Sequence, residues 1–228
     1  MAENKIRNFN RRYTKEYHIF RWWLHLFAMV ITYPYFRWSY NLKFEGRENL
    51  PKGSHYIITA NHISMFDPLM VSTCVFKPIA YMAKKELFDE DCNLNWWIKR
   101  LGAFSVNREK PEIGTFKTVK DVLKTNWALG IFPEGHINKT NKIANIQKGF
   151  AVIAKKAKCD IVPIAIKGFE GYTKKFHAQN IVLKVGKPIS HELSDTEILE
   201  QWVNFICKET GLENGMIKNI DEENIVNV

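Results

Sequence analysis

Residues 55–68 read HYIITANHISMFDP, a short apolar run that passes directly into a polar turn. Residues 56–60 are aromatic, β-branched and small, a composition that predicts a strand. Ser64 and Asp67 then follow the pattern S-x-x-D, the sequence of a capping box, which predicts the start of a helix. The stretch therefore predicts a strand-to-helix turn, and this turn carries His62 and Asp67.

Beyond residue 37, patterns typical of strands alternate with patterns typical of helices along the chain. Short apolar runs predict strands at residues 42–44, 56–60, 79–83, 104–106, 128–132, 161–166 and 181–185. Helical patterns predict helices over residues 111–125 and 146–157, and from a second capping box at Ser194 to about Gly211. This order predicts an α/β fold with a mainly parallel sheet flanked by helices. In such folds, sites form where strands end and helices begin.

Length and composition narrow the class of protein. The chain has 228 residues, with 33 Lys and Arg against 24 Asp and Glu, a net charge of +9. This charge favours an anionic partner, but the basic residues are spread out without a recognised nucleic-acid-binding motif, so we expect no nucleic acid. The four scattered cysteines predict free thiols in a reducing compartment. We expect three segments: residues 1–38, an α/β domain over residues 39–212, and a polar, loosely held tail over residues 213–228.

The first segment predicts an amphipathic helix. Residues 17–38 read YHIFRWWLHLFAMVITYPYFRW, and their polar positions His18, Arg21, His25 and Thr32 fall on one helical face. We expect Pro34 to end or kink the helix. From residue 17 to 33 it would be roughly 25 Å long, short of the roughly 30 Å hydrocarbon core of a bilayer.

These features predict a helix that lies in a membrane interface and does not cross it. Basic residues precede it and would meet anionic headgroups: Lys5, Arg7, Arg11, Arg12 and Lys15. The alternatives are an ordinary helix packed on the domain core and a surface for a partner helix. We expect residues 1–38 to hold the protein peripherally on the cytoplasmic face of a membrane.

His62 and Asp67 are candidates for a catalytic pair. The positive end of a helix dipole disfavours imidazolium, so His62 near a helix start would stay neutral, as a general base must. Asp67, about one turn on, could reach back and fix the tautomer of the ring. The alternative is that Asp67 serves only to cap the helix.

Three further motifs stand at predicted strand ends. Lys84 opens KKEL, Arg108 closes GAFSVNR, and residues 132–135 read FPEG. A guanidinium at a strand end could bind a phosphate through two hydrogen bonds. The alternatives are solvated basic residues and a simple turn.

Taken in order, NHxxxxD, KxEL, GxxxxxR, FPEG and the VPI of residues 162–164 resemble the glycerolipid acyltransferase family. Its best-known members are the 1-acylglycerol-3-phosphate (lysophosphatidate) acyltransferases, and the resemblance covers about residues 40 to 190. It implies transfer of a fatty acyl group from an acyl carrier protein or coenzyme A thioester to the hydroxyl of lysophosphatidate. The product would be phosphatidate, for phospholipid synthesis.

The resemblance also implies roles for single residues. His62 would be the general base and Asp67 would orient it, with no acyl-enzyme because a thioester is already activated. Lys84 and Arg108 would hold the phosphate of the acceptor. Glu134 and Gly135 would shape the acceptor pocket. The resemblance implies neither a metal nor a cofactor beyond the thioester co-substrate.

The sequence departs from the family pattern after FPEG. Many members continue with Thr-Arg or Ser-Arg, and that arginine would contact phosphate, but Ile137 stands at this position. Lys139 and Lys142 are the candidates to replace it, and His136 could add a donor. The departure leaves other acceptors open, namely glycerol 3-phosphate or another lysophospholipid. A non-catalytic lipid-binding protein is a further alternative, which the intact His62 and Asp67 disfavour.

Overall fold

The computed structural model of the chain describes residues 12–17, 19–53, 55–89, 93–106, 113–169 and 179–216. The helices in these ranges are α1 (Ile19–Ser39), α2 (Asp67–Val75), α3 (Glu86–Asp89), α4 (Asn93–Arg100), α5 (Ile113–Leu123), α6 (Gly149–Ala157) and α7 (Asp195–Thr210). The strands are β1 (Lys43–Glu45), β2 (Ile57–Ala60), β3 (Ile79–Lys84), β4 (Phe104–Val106), β5 (Ala128–Ile131), β6 (Lys142–Ile143), β7 (Ile161–Lys167), β8 (Val182–Val185) and β9 (Glu213–Asn214).

The main sheet has seven strands in the order β1-β8-β7-β2-β5-β3-β4. The five strands from β7 to β4 are mutually parallel. β8 is antiparallel to β7, and β1 is parallel to β8. All seven predicted strands are present with bounds within one residue, and the predicted mainly parallel sheet is confirmed.

Helices cover both faces of the sheet, as a parallel sheet requires. Alternate residues of β2 show this, because Ile57 joins one buried cluster and Ile58 the other. The first cluster contains side chains of α5, α6 and α7, and the second contains side chains of α1, α2 and α3. The strand residues are therefore buried on both sides and read as continuous apolar runs in the sequence.

The last helix forms as its capping box predicts. The N–H of Glu197 donates to Ser194 Oγ (3.2 Å), and the N–H of Ser194 donates to Glu197 Oε2 (2.8 Å). Gly211 ends the helix in the left-handed region, with φ 79°. The other two predicted helices are also present but shorter, since α6 begins at Gly149 and α5 ends at Leu123.

Pro34 does not end the first helix, because α1 continues through it to Ser39, so that part of the expectation is wrong and the expected kink stays a prediction. A proline within a helix removes one main-chain hydrogen bond, here the bond to the carbonyl of Val30. Val30 is exposed, so water can solvate the freed carbonyl. The proline therefore lies on the side of the helix where the lost hydrogen bond destabilises the fold least.

The polar stripe of α1 faces the protein. His25 is buried, with Nδ1 3.3 Å from the carbonyl oxygen of Leu101 and Nε2 3.2 Å from Ser72 Oγ. Nδ1 must carry the proton to bond a carbonyl, so Nε2 faces the Ser72 hydroxyl without a proton. Arg21 donates to the carbonyl of Lys99 (3.3 Å). These bonds hold α1 to α2 and to the end of α4.

The opposite side of α1 is exposed and apolar. Trp23, Phe27 and Trp38 are 58%, 63% and 66% exposed, and Val30 and Ile31 are exposed between them. Exposed apolar surfaces of this kind mark sites of contact with a membrane or another molecule. Among the described residues, no helix combines the length and the apolar character needed to cross a membrane.

The polar tail is partly ordered. Glu213–Asn214 form β9, which pairs with β6, so the expectation of a loosely held tail is wrong for this short stretch. The remaining tail residues 217–228 lie outside the described residues, as do His18 and the basic positions Lys5, Arg7 and Arg11. Of the four cysteines, Cys92 lies outside the described residues and the other three are free thiols.

Candidate active site

The carboxyl ends of neighbouring parallel strands bring the predicted motifs to one edge of the sheet. Thr59 of β2 is level with Ile131 of β5, and Tyr81 of β3 is level with Gly130. NHISMFDP follows β2, FPEG follows β5, and Lys84 is the last residue of β3. Ligand sites of open α/β sheets form at this edge.

Asn61 makes the chain turn at the end of β2. Its side chain is buried, with Nδ2 donating to the carbonyl of Ile166 (2.9 Å) and Oδ1 accepting the N–H of Ile166 (2.8 Å). The amide group thus extends the pairing of β2 with β7 by one residue. The main chain is free to turn, and His62 leaves the sheet. The only signal for this role in the sequence is the position of Asn61 directly after the strand.

His62 and Asp67 are in direct contact. Nδ1 of His62 lies 2.8 Å from Asp67 Oδ2, and the same oxygen accepts the N–H groups of Ile63 (2.6 Å) and Ser64 (2.8 Å). Burial raises the pKa of Asp67, while the contacts with His62 and the two N–H groups oppose that shift. A carboxylate facing Nδ1 holds the proton there, so Nε2 is left to accept a proton. The ring therefore has the tautomer of a general base.

The predicted capping box at Ser64 forms only in part. The N–H of Ser64 donates to Asp67, but the Ser64 hydroxyl accepts the N–H of Phe66 (3.1 Å). The helix begins at Asp67, two residues later than a box with Ser64 as its cap requires. The Asp67 carboxylate turns back to the loop and His62, so it serves the turn and does not cap a helix that starts at Ser64.

Two stacked rings support the imidazole. The ring of Phe132 is nearly parallel to that of His62, with centroids 4.3 Å apart, and Tyr81 stacks on Phe132 at 5.6 Å. The Tyr81 hydroxyl donates to the carbonyl of Pro68 (2.8 Å). A Cβ at Gly130 would lie 2.5 Å from the Tyr81 ring, so only glycine allows this stack. Sequence reasoning missed both rings, although Phe132 belongs to FPEG.

Glu134 is bonded to the main chain of His62. It is buried, and Oε1 accepts the N–H of His62 (2.8 Å) while Oε2 accepts from the side chain of Asn138. A tight turn presents it: the N–H of Gly135 donates to the carbonyl of Phe132 (3.0 Å), and Gly135 has φ 73°. Burial raises the pKa of Glu134. Its carboxylate faces His62, and the role in an acceptor pocket stays a prediction for Glu134 and Gly135.

Two of the predicted phosphate-binding cations follow different strands, since Lys84 ends β3 and Lys139 lies in the loop after β5. Lys84 is exposed, with Nζ 3.6 Å from Glu86 Oε1. Lys139 is exposed on the loop after FPEG, and Lys142 lies 3.8 Å from Glu213 at the start of β6. Arg108 lies outside the described residues. The roles of these cations therefore stay predictions.

An apolar cavity of about 250 Å³ lies beside the imidazole. Its walls come from β3, β4, β5, α5, α6 and FPEG, and include Met82, Phe116, Ile131, Phe132 and Phe150. Phe132 is shared, because its ring forms a wall of the cavity and also stacks on His62. A base that shares one ring with the wall of an apolar cavity suits a substrate that joins an alkyl chain to a reactive polar group.

Comparisons with known proteins show the family of the chain. Residues 41–167, more than half of the chain, match the family model described as acyltransferase. The chain belongs to the acyltransferase family and is an O-acyltransferase, as its resemblance to the glycerolipid acyltransferases predicts.

The individual relatives are named as acyltransferases of 1-acylglycerol phosphate. The chain is 33% identical to the 1-acyl-sn-glycerol-3-phosphate acyltransferase of Bacillus subtilis over 65% of its own length and 73% of that protein. It is 31% identical to the enzyme of the same name from Streptococcus pneumoniae, over 69% of its own length and 59% of that protein. The crystal structure of the 1-acyl-sn-glycerophosphate acyltransferase from Thermotoga maritima matches with a TM-score of 0.58 and 26% identity, over 74% and 69% of the two chains.

Proposed function

We propose that the protein transfers a fatty acyl group from an acyl thioester to the free hydroxyl of lysophosphatidate and so forms phosphatidate. The observation that carries the proposal is the 2.8 Å contact between His62 Nδ1 and Asp67, which leaves Nε2 unprotonated beside an apolar cavity. The names of the relatives support lysophosphatidate as the acceptor.

In this reaction His62 acts as a general base. Nε2 takes the proton of the acceptor hydroxyl while that oxygen attacks the thioester carbonyl. A C–O bond forms, the C–S bond breaks, and the imidazolium returns the proton to the departing thiolate. Asp67 stabilises the imidazolium, which forms next to its buried carboxylate. The donor is either an acyl carrier protein or a coenzyme A thioester.

The remainder of the substrate fits the surroundings of the base. The apolar cavity has the chemistry to hold an alkyl chain, and Lys84 and Lys139 are exposed at the same edge, where a phosphate could meet them. Ile137 favours a second candidate acceptor, glycerol 3-phosphate or another lysophospholipid, because the arginine expected at this position is absent.

The decisive experiment offers the purified protein both donor types and a panel of acceptors, with products identified by mass spectrometry. We expect phosphatidate from lysophosphatidate, and none from the His62→Ala variant. Product from glycerol 3-phosphate alone would replace the proposed acceptor with the second candidate. Equal product from wild type and variant would refute the mechanism.

We also propose that the protein binds a lipid surface through the exposed face of α1, on the cytoplasmic side of a membrane. Support comes from the aromatic outer face, the inward polar stripe and the basic residues that precede the helix. Trp23→Ser with Phe27→Ser should lower partition into anionic liposomes, while Ile113→Ser, at an exposed apolar residue of α5, serves as the matched control. Equal partition of the double variant and the control would refute docking through this face.

A further inference from the structure

Asn138 lies in the loop that follows FPEG and contacts the main chain of His62. It is buried, and its main-chain N–H donates to the carbonyl oxygen of His62 (2.6 Å). Its side-chain Nδ2 donates to Glu134 Oε2, while Glu134 Oε1 accepts the N–H of His62 (2.8 Å). Both polar groups of the His62 main chain are thus held by a closed ring of three residues.

The amide of Asn138 is saturated with hydrogen bonds. Nδ2 also donates to the carbonyl of Lys142 (2.8 Å), and Oδ1 accepts both the N–H (2.8 Å) and the hydroxyl (2.7 Å) of Thr140. Two donors and two acceptor positions are the full capacity of an amide. The reverse orientation would place Oδ1 against the Glu134 carboxylate and Nδ2 against an N–H. The network therefore fixes one orientation of the side chain.

This arrangement reaches beyond the loop. Lys142 begins β6, which pairs with β9, and the N–H of Glu213 donates to the carbonyl of Asn141 (2.9 Å). The loop is thus anchored to the end of α7 on one side and to His62 on the other. Asn138 contacts both sides, because it donates to the carbonyl of Lys142 and to the carbonyl of His62.

We propose that Asn138 is a positioning residue for His62: its side chain holds the Glu134 carboxylate, and that carboxylate and the Asn138 N–H together hold the main chain of the base. Asn138 does not touch the reacting atoms. Its effect is on the placement of Nε2 relative to the acceptor hydroxyl. This inference rests on the proposed function, in which His62 is the base.

The first test is Asn138→Ala. It removes the donor to Glu134 and leaves the carboxylate held by the His62 N–H alone. We expect kcat to fall about ten- to a hundredfold, as for small misplacements of a catalytic group. KM for the acceptor should change little, because Asn138 does not contact it. Asn141→Ala is the matched control, since its side chain is exposed in the same loop.

The second test is Asn138→Asp, which nearly keeps the shape of the side chain. Two carboxylates at hydrogen-bond distance in a buried site share one proton, and that O–H can replace the lost N–H donor. The shared proton leaves as the pH rises, and the two like charges then repel. We expect the ratio of kcat in this variant to kcat in wild type to fall with rising pH.

Other titratable groups around Glu134 do not produce this signature. They are His62 itself, His136 of the same loop and Cys207 of α7. All three are present in wild type and in both Asn138 variants, and Asn141→Asp, which adds a carboxylate at an exposed position of the same loop, is the matched control for the added charge. For Asn138→Ala the ratio should not vary with pH in this way, because no second carboxylate is introduced.

The outcomes separate cleanly. Wild-type kcat and pH profile in both variants would overturn the positioning role, and so would a loss in Asn138→Asp that is the same at every pH. If Asn138→Asp does not fold, as judged by its Tm, the split between kcat and KM in Asn138→Ala decides the matter. Absence of acyl transfer by wild type itself would instead overturn the proposed function.

Discussion

Two histidine–aspartate pairs in this protein have the same local geometry. His62 Nδ1 lies 2.8 Å from Asp67 Oδ2, and His191 Nδ1 lies 2.7 Å from Asp160 Oδ1. They lie at opposite edges of the sheet, since His62 follows the end of β2 and Asp160 directly precedes β7. The side chain of Asp67 is fully buried, whereas that of Asp160 is 47% exposed.

The surroundings distinguish the pairs, because the contact itself does not. Burial raises the pKa of Asp67. At Asp160 partial burial opposes the shift, but the side-chain and main-chain hydrogen bonds from His191 lower the pKa. Around His62 there are also the Phe132 ring, the Glu134 carboxylate and the apolar cavity. A histidine and an aspartate at bonding distance become a candidate base only when other elements of the fold converge on them.

The largest difference between the pairs should appear on removal of the imidazole. His62→Ala should lower the rate of acyl transfer about 10²- to 10⁴-fold, the usual contribution of a general base. His191→Ala should retain the wild-type rate, because its ring lies at the far edge of the sheet. Initial rates of both variants, with Tm as the check on folding, test the contrast. Equal losses would show that the comparison is wrong.

The second-largest effect should come from removal of the Asp67 carboxylate charge. Asp67→Asn keeps the size of the side chain but loses the carboxylate that holds the proton on Nδ1 and stabilises the imidazolium. We expect a fall in kcat no larger than the about 10²- to 10⁴-fold loss of the base itself, with a smaller change in KM. Asp160→Asn is the matched control and should transfer acyl groups at the wild-type rate. A wild-type kcat in Asp67→Asn would mean that His62 does not depend on its partner.

A smaller effect is expected from the cation that stands near the position of Ile137. Lys139→Ala should raise KM for a phosphate-bearing acceptor up to about fivefold, the scale of one exposed charge contact. Lys187, exposed near His191 at the opposite edge, provides the control Lys187→Ala. Steady-state kinetics with the acceptor varied measure both. A rise in KM only for the acyl donor would contradict the assignment.

The smallest effect concerns stability and belongs to the second pair. Because the pKa of Asp160 is lowered by folding, the contact stabilises the native state above the ordinary pKa of 3.8 and is lost as the pH falls through the folded value. His191→Ala should therefore lower the free energy of unfolding by less than about 1 kcal/mol at neutral pH, since the pair is partly exposed. Denaturant titrations at neutral and acidic pH measure this difference. It should vanish in acid, and a constant difference would assign the effect to packing.

The sequence predicts the parts of this site that depend on local order. The strand at residues 56–60 and the turn after it were predictable, because a short apolar run followed directly by a polar turn marks both within one stretch. The contact of His62 with Asp67 follows from a separation of five residues. Asn138 was missed, because His62 is brought to it only by the pairing of β2 with β5, although its other partner Glu134 lies in the same loop.

Long-range contacts also explain the other errors. The pair of His191 with Asp160 spans 31 residues and has no pattern that marks it. Pro34 was expected to end or kink α1, and the helix does not end there; tolerance of proline depends on which side of the helix meets solvent, and the packing on α2 decides that. The strands at the ends of the main sheet were found individually, while their order could not be read from the sequence.

In α1, packing and outward contact are carried by different residues. His25, Met29 and Phe36 attach the helix to the domain and are buried, whereas Trp23 and Phe27 point outward. The exposed side chains of α1 can therefore be substituted without a change in the buried contacts of the helix. Replacing its aromatic side chains with polar ones would give a water-facing version of the enzyme in which the attachment of the helix, and the site it adjoins, are unchanged.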